Sequence, residues 1–265
     1  MGSQSSKKQH LQQQLLQQNI ACPLNDCANG GLCYRVLRLD GRLDANAQCK
    51  CRLGYAGPKC ELVRMVHYAY EDAYLEFEPP DLETSFNLTL RMRTTAEHGL
   101  LLYHGSKAAK QHLAVELFKG RIRVSLDLHG NNNAAPLSTM FSYVKLNDGV
   151  ARRVQLTLSG QNLTLRVEEA DEERMLRNEG PRAYLSVGFG EPLYVGGVPN
   201  SVKERISREL GHVRNASSFA GCLADVYLNG QLVDLQRAEY SHKVAPGCLF
   251  EEACFREEII GERHG

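Results

Sequence analysis

A chain of 265 residues with 43% hydrophobic and 23% charged residues carries enough apolar material for one or two folded domains, and its composition is not that of a disordered protein. Lysine plus arginine balance aspartate plus glutamate at 31 each, so no whole-chain field draws in nucleic acid. No stretch approaches the roughly 20 consecutive apolar residues that a spanning helix needs, so membrane insertion is not expected.

Residues 1–21 are glutamine-rich and lack a signal peptide's apolar core. They read as a disordered segment, a linker or the arbitrary start of a longer chain. Six of the nine cysteines then fall between Cys22 and Cys60, in CPLNDCANGGLCYRVLRLDGRLDANAQCKCRLGYAGPKC. Such density does not suit a reduced cytosolic protein and points to a secreted or extracellular-matrix setting. Four, five, fifteen, one and eight residues separate successive cysteines, which by itself leaves the connectivity open. A zinc site is disfavoured: Cys49-Lys50-Cys51 points successive side chains to opposite faces of a strand, whereas chelation favours C-x₂-C pairs.

This spacing, with GYAGPKC closing on Cys60, closely resembles an epidermal-growth-factor-like (EGF-like) module over residues 22–60. The resemblance implies the pairs Cys22–Cys33, Cys27–Cys49 and Cys51–Cys60. So small a unit cannot bury enough surface alone, and bridges must stabilise it by restricting the unfolded chain. Calcium-binding modules of this type carry acidic residues just before the first cysteine. Gln18-Asn19-Ile20-Ala21 offers no carboxylate, so no calcium is expected there. Residues 61–65 read as a linker.

Over residues 66–248 the pattern has a period of two. Phe86, Leu88, Leu90 and Met92 alternate with Asn87, Thr89, Arg91 and Arg93. Ile122, Val124 and Leu126 alternate likewise, as do Val154, Leu156 and Leu158, and Leu163, Leu165 and Val167. Turn signals at His98-Gly99, Lys119-Gly120, Asn147-Asp148-Gly149, Ser159-Gly160 and Asn229-Gly230 punctuate the runs. Short, regularly spaced strands with little helical pattern between them predict a mainly β, two-sheet sandwich. The acidic run EEADEERMLR (168–177) has room for a helical turn but reads rather as a solvated edge or loop.

The stretches HGLLLYHG, HLAVELFKGRIRVSLDL, PLYVGGVP and FAGCLADVYLNGQLVDL make this region similar to a laminin G-like jelly roll. That resemblance implies a C-terminal disulfide, Cys222–Cys248. HLAVELFKGRIRVS, LSTMFSYVKLNDG, NLTLRVEE, NEG, YVGGVP and RNASSFAGC look like the corresponding domain of the Slit family of secreted axon-guidance ligands. Slit proteins place one EGF-like module before this domain and another after it. On that pattern the acidic tail 249–265 is the start of a truncated next module and Cys254 its first cysteine.

Laminin G-like domains often hold a calcium ion at one rim of the sandwich. The family pattern puts a carboxylate at the position of Gln111 and an acidic or amide residue at that of Glu191. With Gln111 one charge is missing, and Asp127 is the substitute. No other cofactor is implied. Asn87-Leu88-Thr89, Asn162-Leu163-Thr164 and Asn215-Ala216-Ser217 are glycan acceptor patterns. Arg91, Arg93, Arg121, Arg123 and Arg166 occupy outward strand positions with Arg152 and Arg153 nearby, and adjacent strands would turn them into a plane suited to sulfate. Lys203, Arg205, Arg208 and Arg214 form a second basic cluster. Both features fit the heparan sulfate binding that the resemblance implies. A further extracellular protein partner is expected, its identity open.

Catalysis has little to stand on. Glu76 and Glu78 in YLEFEP have a spacing that a glycosidase pair might use, but no G-x-S-x-G, H-E-x-x-H or phosphate loop occurs. The expectation is a non-catalytic binding module of a Slit-like guidance protein. The alternative is a calcium-dependent adhesion or matrix module of the agrin, perlecan or neurexin type.

Overall fold

The computed structural model describes residues 19–37, 41–43, 45–78, 85–106, 111–128, 138–177, 191–210, 213 and 217–248. The chain divides into two compact units, Met1–Val63 and Arg64–Gly265. Cys254 and the tail 249–265 lie outside the described residues, as do residues 1–18.

In the small unit, β1 (Asn19–Ala21), β2 (Leu32–Val36) and β3 (Gln48–Lys50) form one antiparallel sheet, and β4 (Tyr55–Ala56) pairs with β5 (Leu62–Val63). Disulfides join Cys22 to Cys33, Cys27 to Cys49 and Cys51 to Cys60. Gly31 sits against this framework: a Cβ there would lie 2.8 Å from the Cys60 Sγ, so only glycine fits. Two boundaries differ from the sequence reading. The segment 1–21 is not irregular to its end, because Asn19–Ala21 pairs with Tyr34–Val36. Nor is 61–65 an open linker. Leu62–Val63 pairs with Tyr55–Ala56, Val63 is buried, and Met65 already begins the next strand.

The large unit contains β6 (Met65–Tyr68), β7 (Tyr74–Phe77), β8 (Ser85–Arg93), β9 (His98–Gly105), β10 (His112–Phe118), β11 (Arg121–Asp127), β12 (Ser138–Phe141), β13 (Arg152–Ser159), β14 (Asn162–Val167), β15 (Glu172–Arg177), β16 (Leu193–Val195), α1 (Asn200–Glu209), β17 (Gly221–Leu228), β18 (Gln231–Leu232), β19 (Tyr240–His242) and β20 (Val244–Pro246). They build a mainly β sandwich. One sheet runs β12-β11-β10-β9-β16-β7-β19, and the other runs β15-β14-β13-β8-β17-β6-β20, with β18 paired to β17. Alternation sends Leu113, Leu117, Ile122, Val124 and Leu126 from the first sheet, and Phe86, Leu88, Leu90, Leu156, Leu163 and Leu165 from the second, into the core. Tight turns hold the register. Lys119 (φ 52°) and Gly120 (φ 76°) join β10 to β11 in the doubly left-handed form that two-residue hairpins favour, pairing Phe118 with Arg121. A disulfide ties Cys222 on β17 to Cys248.

Two features go beyond the plain period-two runs, and the first agrees with the reading of 168–177 as a helical turn or a solvated edge. The run 168–177 is a single 3₁₀ turn followed by β15, an edge strand in register with β14 from Asn162↔Arg177 to Val167↔Glu172. Glu172 turns inward, and its carboxylate accepts from the backbone N–H groups of Tyr143 and Val144, lacing the two sheet edges together. The second is α1, a departure from the expectation of little helix between the strands. Val202, Ile206 and Leu210, with Val198 and Val213, form a second apolar cluster with Leu100, Tyr103, Ala114 and Tyr194 of the seven-stranded sheet. That cluster covers the sheet face opposite the main core, so β9, β10 and β16 are buried on both sides.

Candidate functional site

The strand arginines do not form one plane. Arg91, Arg93, Arg153 and Arg166 belong to the eight-stranded sheet, whereas Arg121 and Arg123 belong to the seven-stranded sheet, and the outer faces of a sandwich look in opposite directions. Most of them are committed within the molecule. Arg123 is 5% exposed and pairs with Glu116, which is fully buried, at 2.9 Å (Nη1 to Oε2), with the Phe141 ring 5.6 Å from its guanidinium. Arg91 is 8% exposed, pinned between Arg153 on β13 and Ala224 on β17. Arg93 donates from Nε to the Gly149 carbonyl at 2.7 Å, and Arg121 donates to the Ser142 carbonyl at 3.2 Å. Arg152 bonds Asp148 at 2.7 Å, and Arg153 bonds Glu168 at 3.1 Å. Arg166 is exposed but stands opposite Glu173. Alternation places these side chains on a face; it does not say whether neighbouring segments cover that face or neutralise it.

The helical cluster is different. With Val202 and Ile206 turned to the sheet, Asn200, Lys203, Glu204, Ser207 and Arg208 fall on the opposite side of α1. They line a shallow surface cavity of about 550 Å³. Arg205, half-buried on the same helix, acts electrostatically on Tyr194. Arg214 is outside the described residues.

The rim residues Gln111, Asp127 and Glu191 come to one end of the seven-stranded sheet. His112 pairs with both Gly105 and Asp127, Ser106 donates its N–H to the Gln111 carbonyl at 2.8 Å, and Leu193 pairs with His104 two residues after Glu191. The Gln111 amide has a structural task, since its Nε2 donates to the Leu128 carbonyl at 2.5 Å. Among the described residues no group of three or more His, Cys, Asp or Glu side chains gathers as a metal would require. His104, 3.2 Å from the Pro192 carbonyl through Nδ1, is buried under this rim. Burial pushes its pKa down, outweighing the opposite pull of the Pro192 carbonyl and the Glu191 charge.

Two of the glycan acceptors lie on the outer face of the eight-stranded sheet. Asn162 is exposed at the start of β14. Asn87 is half-buried, and its backbone N–H donates to Asn229 Oδ1 at 3.0 Å. Asn215 falls outside the described residues. Glu76 and Glu78 do not face each other across a cleft: Glu76 sits between Tyr194 and Tyr240 within the sheet, and Glu78 follows the end of β7. The aromatic neighbours of Glu76, namely Tyr74, Tyr194, Tyr240 and His242, went unnoticed in the sequence. Their signal was Tyr74-x-Glu76 and Tyr240-x-His242, two side-by-side pairs at strand spacing.

A laminin G domain family model matches residues 92–234, more than half of the chain. The chain belongs to the laminin G domain family. Strands β6 and β7 before that span, and β19 and β20 after it, pair into the same two sheets of the laminin G sandwich. Among curated proteins, basement membrane proteoglycan of Caenorhabditis elegans is 27% identical over 242 residues, covering 87% of this chain and 7% of the proteoglycan. Rat (Rattus norvegicus) pikachurin is 26% identical over 221 residues, covering 82% of this chain and 20% of pikachurin. The chain thus spans a small fraction of either relative. Of solved structures, the LG1-3 region of the laminin alpha2 chain superposes with a TM-score of 0.61 at 18% identity, over 80% of this chain and 37% of that one, a likeness of fold. The chain is thus a disulfide-bridged laminin G module similar to parts of a basement membrane proteoglycan, of pikachurin and of laminin chains. No helix among the described residues is long and apolar enough to cross a membrane.

Proposed function

We propose that this chain is a non-catalytic binding module of a Slit-like secreted guidance protein, and that it holds sulfated matrix glycan on the outer side of α1. The carrying observation is the exposed cavity where Lys203 and Arg208 stand with Asn200 and Ser207. Two cations flanked by neutral hydrogen-bonding side chains suit a sulfate ester: the charges attract it and the polar groups orient it. Glu204 lowers the local charge, so affinity on this face is modest, and it falls as salt screens the two cations. Guidance activity belongs to the parent protein; the support for a Slit-like parent is the run of motifs from HLAVELFKGRIRVS to RNASSFAGC following an EGF-like cysteine spacing.

Heparin affinity chromatography tests this. Lys203→Ala/Arg208→Ala elutes at distinctly lower salt than the parent chain, the slope of log affinity against log salt falling by about one per cation removed, as for other polyanions. Arg166→Ala, on the opposite sheet, elutes near the parent. Unchanged elution of the double variant overturns the assignment. A second reading, calcium at the rim, draws on the convergence of Gln111, Asp127 and Glu191 at one sheet end. It predicts partner binding that a chelator abolishes, whereas the glycan mode ignores chelator.

A further inference from the structure

The eight-stranded sheet ends at β15, and among the described residues nothing pairs with the outer edge of that strand. Which backbone groups face outward follows from the hairpin before it. Ser159 and Asn162 flank the two-residue turn at Gly160-Gln161, so Asn162 exchanges its backbone hydrogen bonds with Ser159 on β13. Along an antiparallel ladder the direction alternates. Leu163, Leu165 and Val167 therefore bond toward β15, where they face Leu176, Arg174 and Glu172. The N–H and C=O groups of Glu173, Met175 and Arg177 are left pointing away from the sheet.

The same three residues carry the exposed side chains of β15, and Met175 is 67% exposed. A strand with unpaired N–H and C=O groups is a template for a further strand. The inner side of β15 is already tied down. The Glu172 carboxylate accepts from the Tyr143 and Val144 N–H groups, and Arg174 donates to the Phe141 carbonyl at 3.0 Å. The Arg174 guanidinium also lies 3.9 Å from the centre of the Tyr143 ring. The edge is thus ordered before any partner arrives, which lowers the entropy cost of pairing with it.

Charge decides which strand fits. Edge charges commonly repel an added strand, but here Glu173 and Arg177 are of opposite sign and stand symmetrically about Met175. Neither has a side-chain hydrogen bond or ion pair among the described residues. A strand carrying one sign of charge meets a like charge at one of the two. A second β15 does not. In a two-fold antiparallel pairing centred on Met175, Glu173 of each copy stands opposite Arg177 of the other, and the two Met175 side chains cover each other. Every outward backbone group of the three residues is then bonded. Arg166, opposite Glu173 on β14, adds a further cation to the same row. We propose that two copies of this chain associate through β15, joining their eight-stranded sheets edge to edge in this register. An interface confined to one strand edge is small, so the dimer is weak and reversible.

Sedimentation equilibrium of the whole chain up to submillimolar concentration tests this, in a Cys254→Ser background so that no disulfide through that residue links the copies. The parent shows a reversible monomer–dimer equilibrium. Glu173→Arg and Arg177→Glu each set like charges opposite one another at both ends of the pairing, and each weakens dimerisation about tenfold. An equimolar mixture of the two variants restores it, because a copy with two cations then faces a copy with two anions. Glu173→Arg/Arg177→Glu in one chain restores it as well. Both positions are exposed, so at dilute concentration every variant keeps the parent's thermal midpoint. The proposal fails if the parent stays monomeric over the whole range, if either single variant dimerises like the parent, or if mixing the two restores nothing.

Discussion

Glu116 and Arg123 show how a residue's neighbourhood decides its role. The pair meets in a dry place, with side-chain exposures of 0% and 6%, so each charge depends on the other. Removing one partner strands a buried charge, and Arg123→Met is expected to cost about 3–5 kcal/mol by chemical denaturation. Replacing both with apolar groups, as Glu116→Leu/Arg123→Met, recovers most of that loss. Single and double variants of equal stability would contradict this account. Arg123 substitutions would thus weaken glycan binding only by unfolding the domain. His104 gives a prediction of opposite kind. Burial holds its folded-state pKa below the ordinary 6.5, so as pH falls the unfolded chain takes up its proton first. Stability from this group is complete above about pH 6.5 and declines as pH drops toward the folded-state pKa. His67, also lowered by burial, adds the same sign. Thermal midpoints measured from pH 7 down to about pH 5 should fall in the parent chain and less steeply in His104→Gln.

At the scale of elements, what was legible in the sequence is what obeys a short period. Strands β8, β10, β11, β13 and β14 lie where alternation puts them, because each needs only its own neighbours to show one apolar face. The helix escaped because its signal is sparse. Val202, Ile206 and Leu210 recur every fourth residue, a single narrow stripe, after Pro199 and amid charged side chains. Missing it left the outer face of β9, β10 and β16 exposed on paper. Arg123 on β11 reads as a ligand-binding residue because alternation does not show its pairing with Glu116 on β10 and Phe141 on β12. The strand positions also could not tell which sheet each strand joins, and that assignment separated Arg121 from Arg166. Because α1 closes this second core, Ile206→Ala, at a fully buried position, is expected to cost about 2–5 kcal/mol, while Ser207→Ala on the exposed side changes stability by less than about 0.5 kcal/mol. Urea titrations of the two variants compare them directly. Equal effects would mean that the helix does not close a core.

At the scale of the whole molecule, the two units are stabilised by different physics. Among its described residues the small unit buries Cys60, Val63 and few other apolar side chains, and three disulfides cross its short strands. A unit without a core relies on those bridges, since closing loops in the unfolded chain is what limits its entropy gain on opening. The large unit buries apolar residues from both sheets and from α1, and its single described bridge, Cys222–Cys248, spans 26 residues. A loop of that size contributes about 3–4 kcal/mol in the chain-entropy model, which weakens the sandwich when lost without abolishing it. Reduction is therefore expected to split the molecule's behaviour. Under a reductant in native buffer, amides of β2 and β3 exchange quickly and Cys22 to Cys60 become alkylatable, while core strands β8, β9, β10 and β13 keep their hydrogen-exchange protection. Cys222→Ser/Cys248→Ser should reproduce the lower stability of the sandwich with the small unit left intact. Loss of protection in both units in one step would show instead that the sandwich cannot stand on its own core.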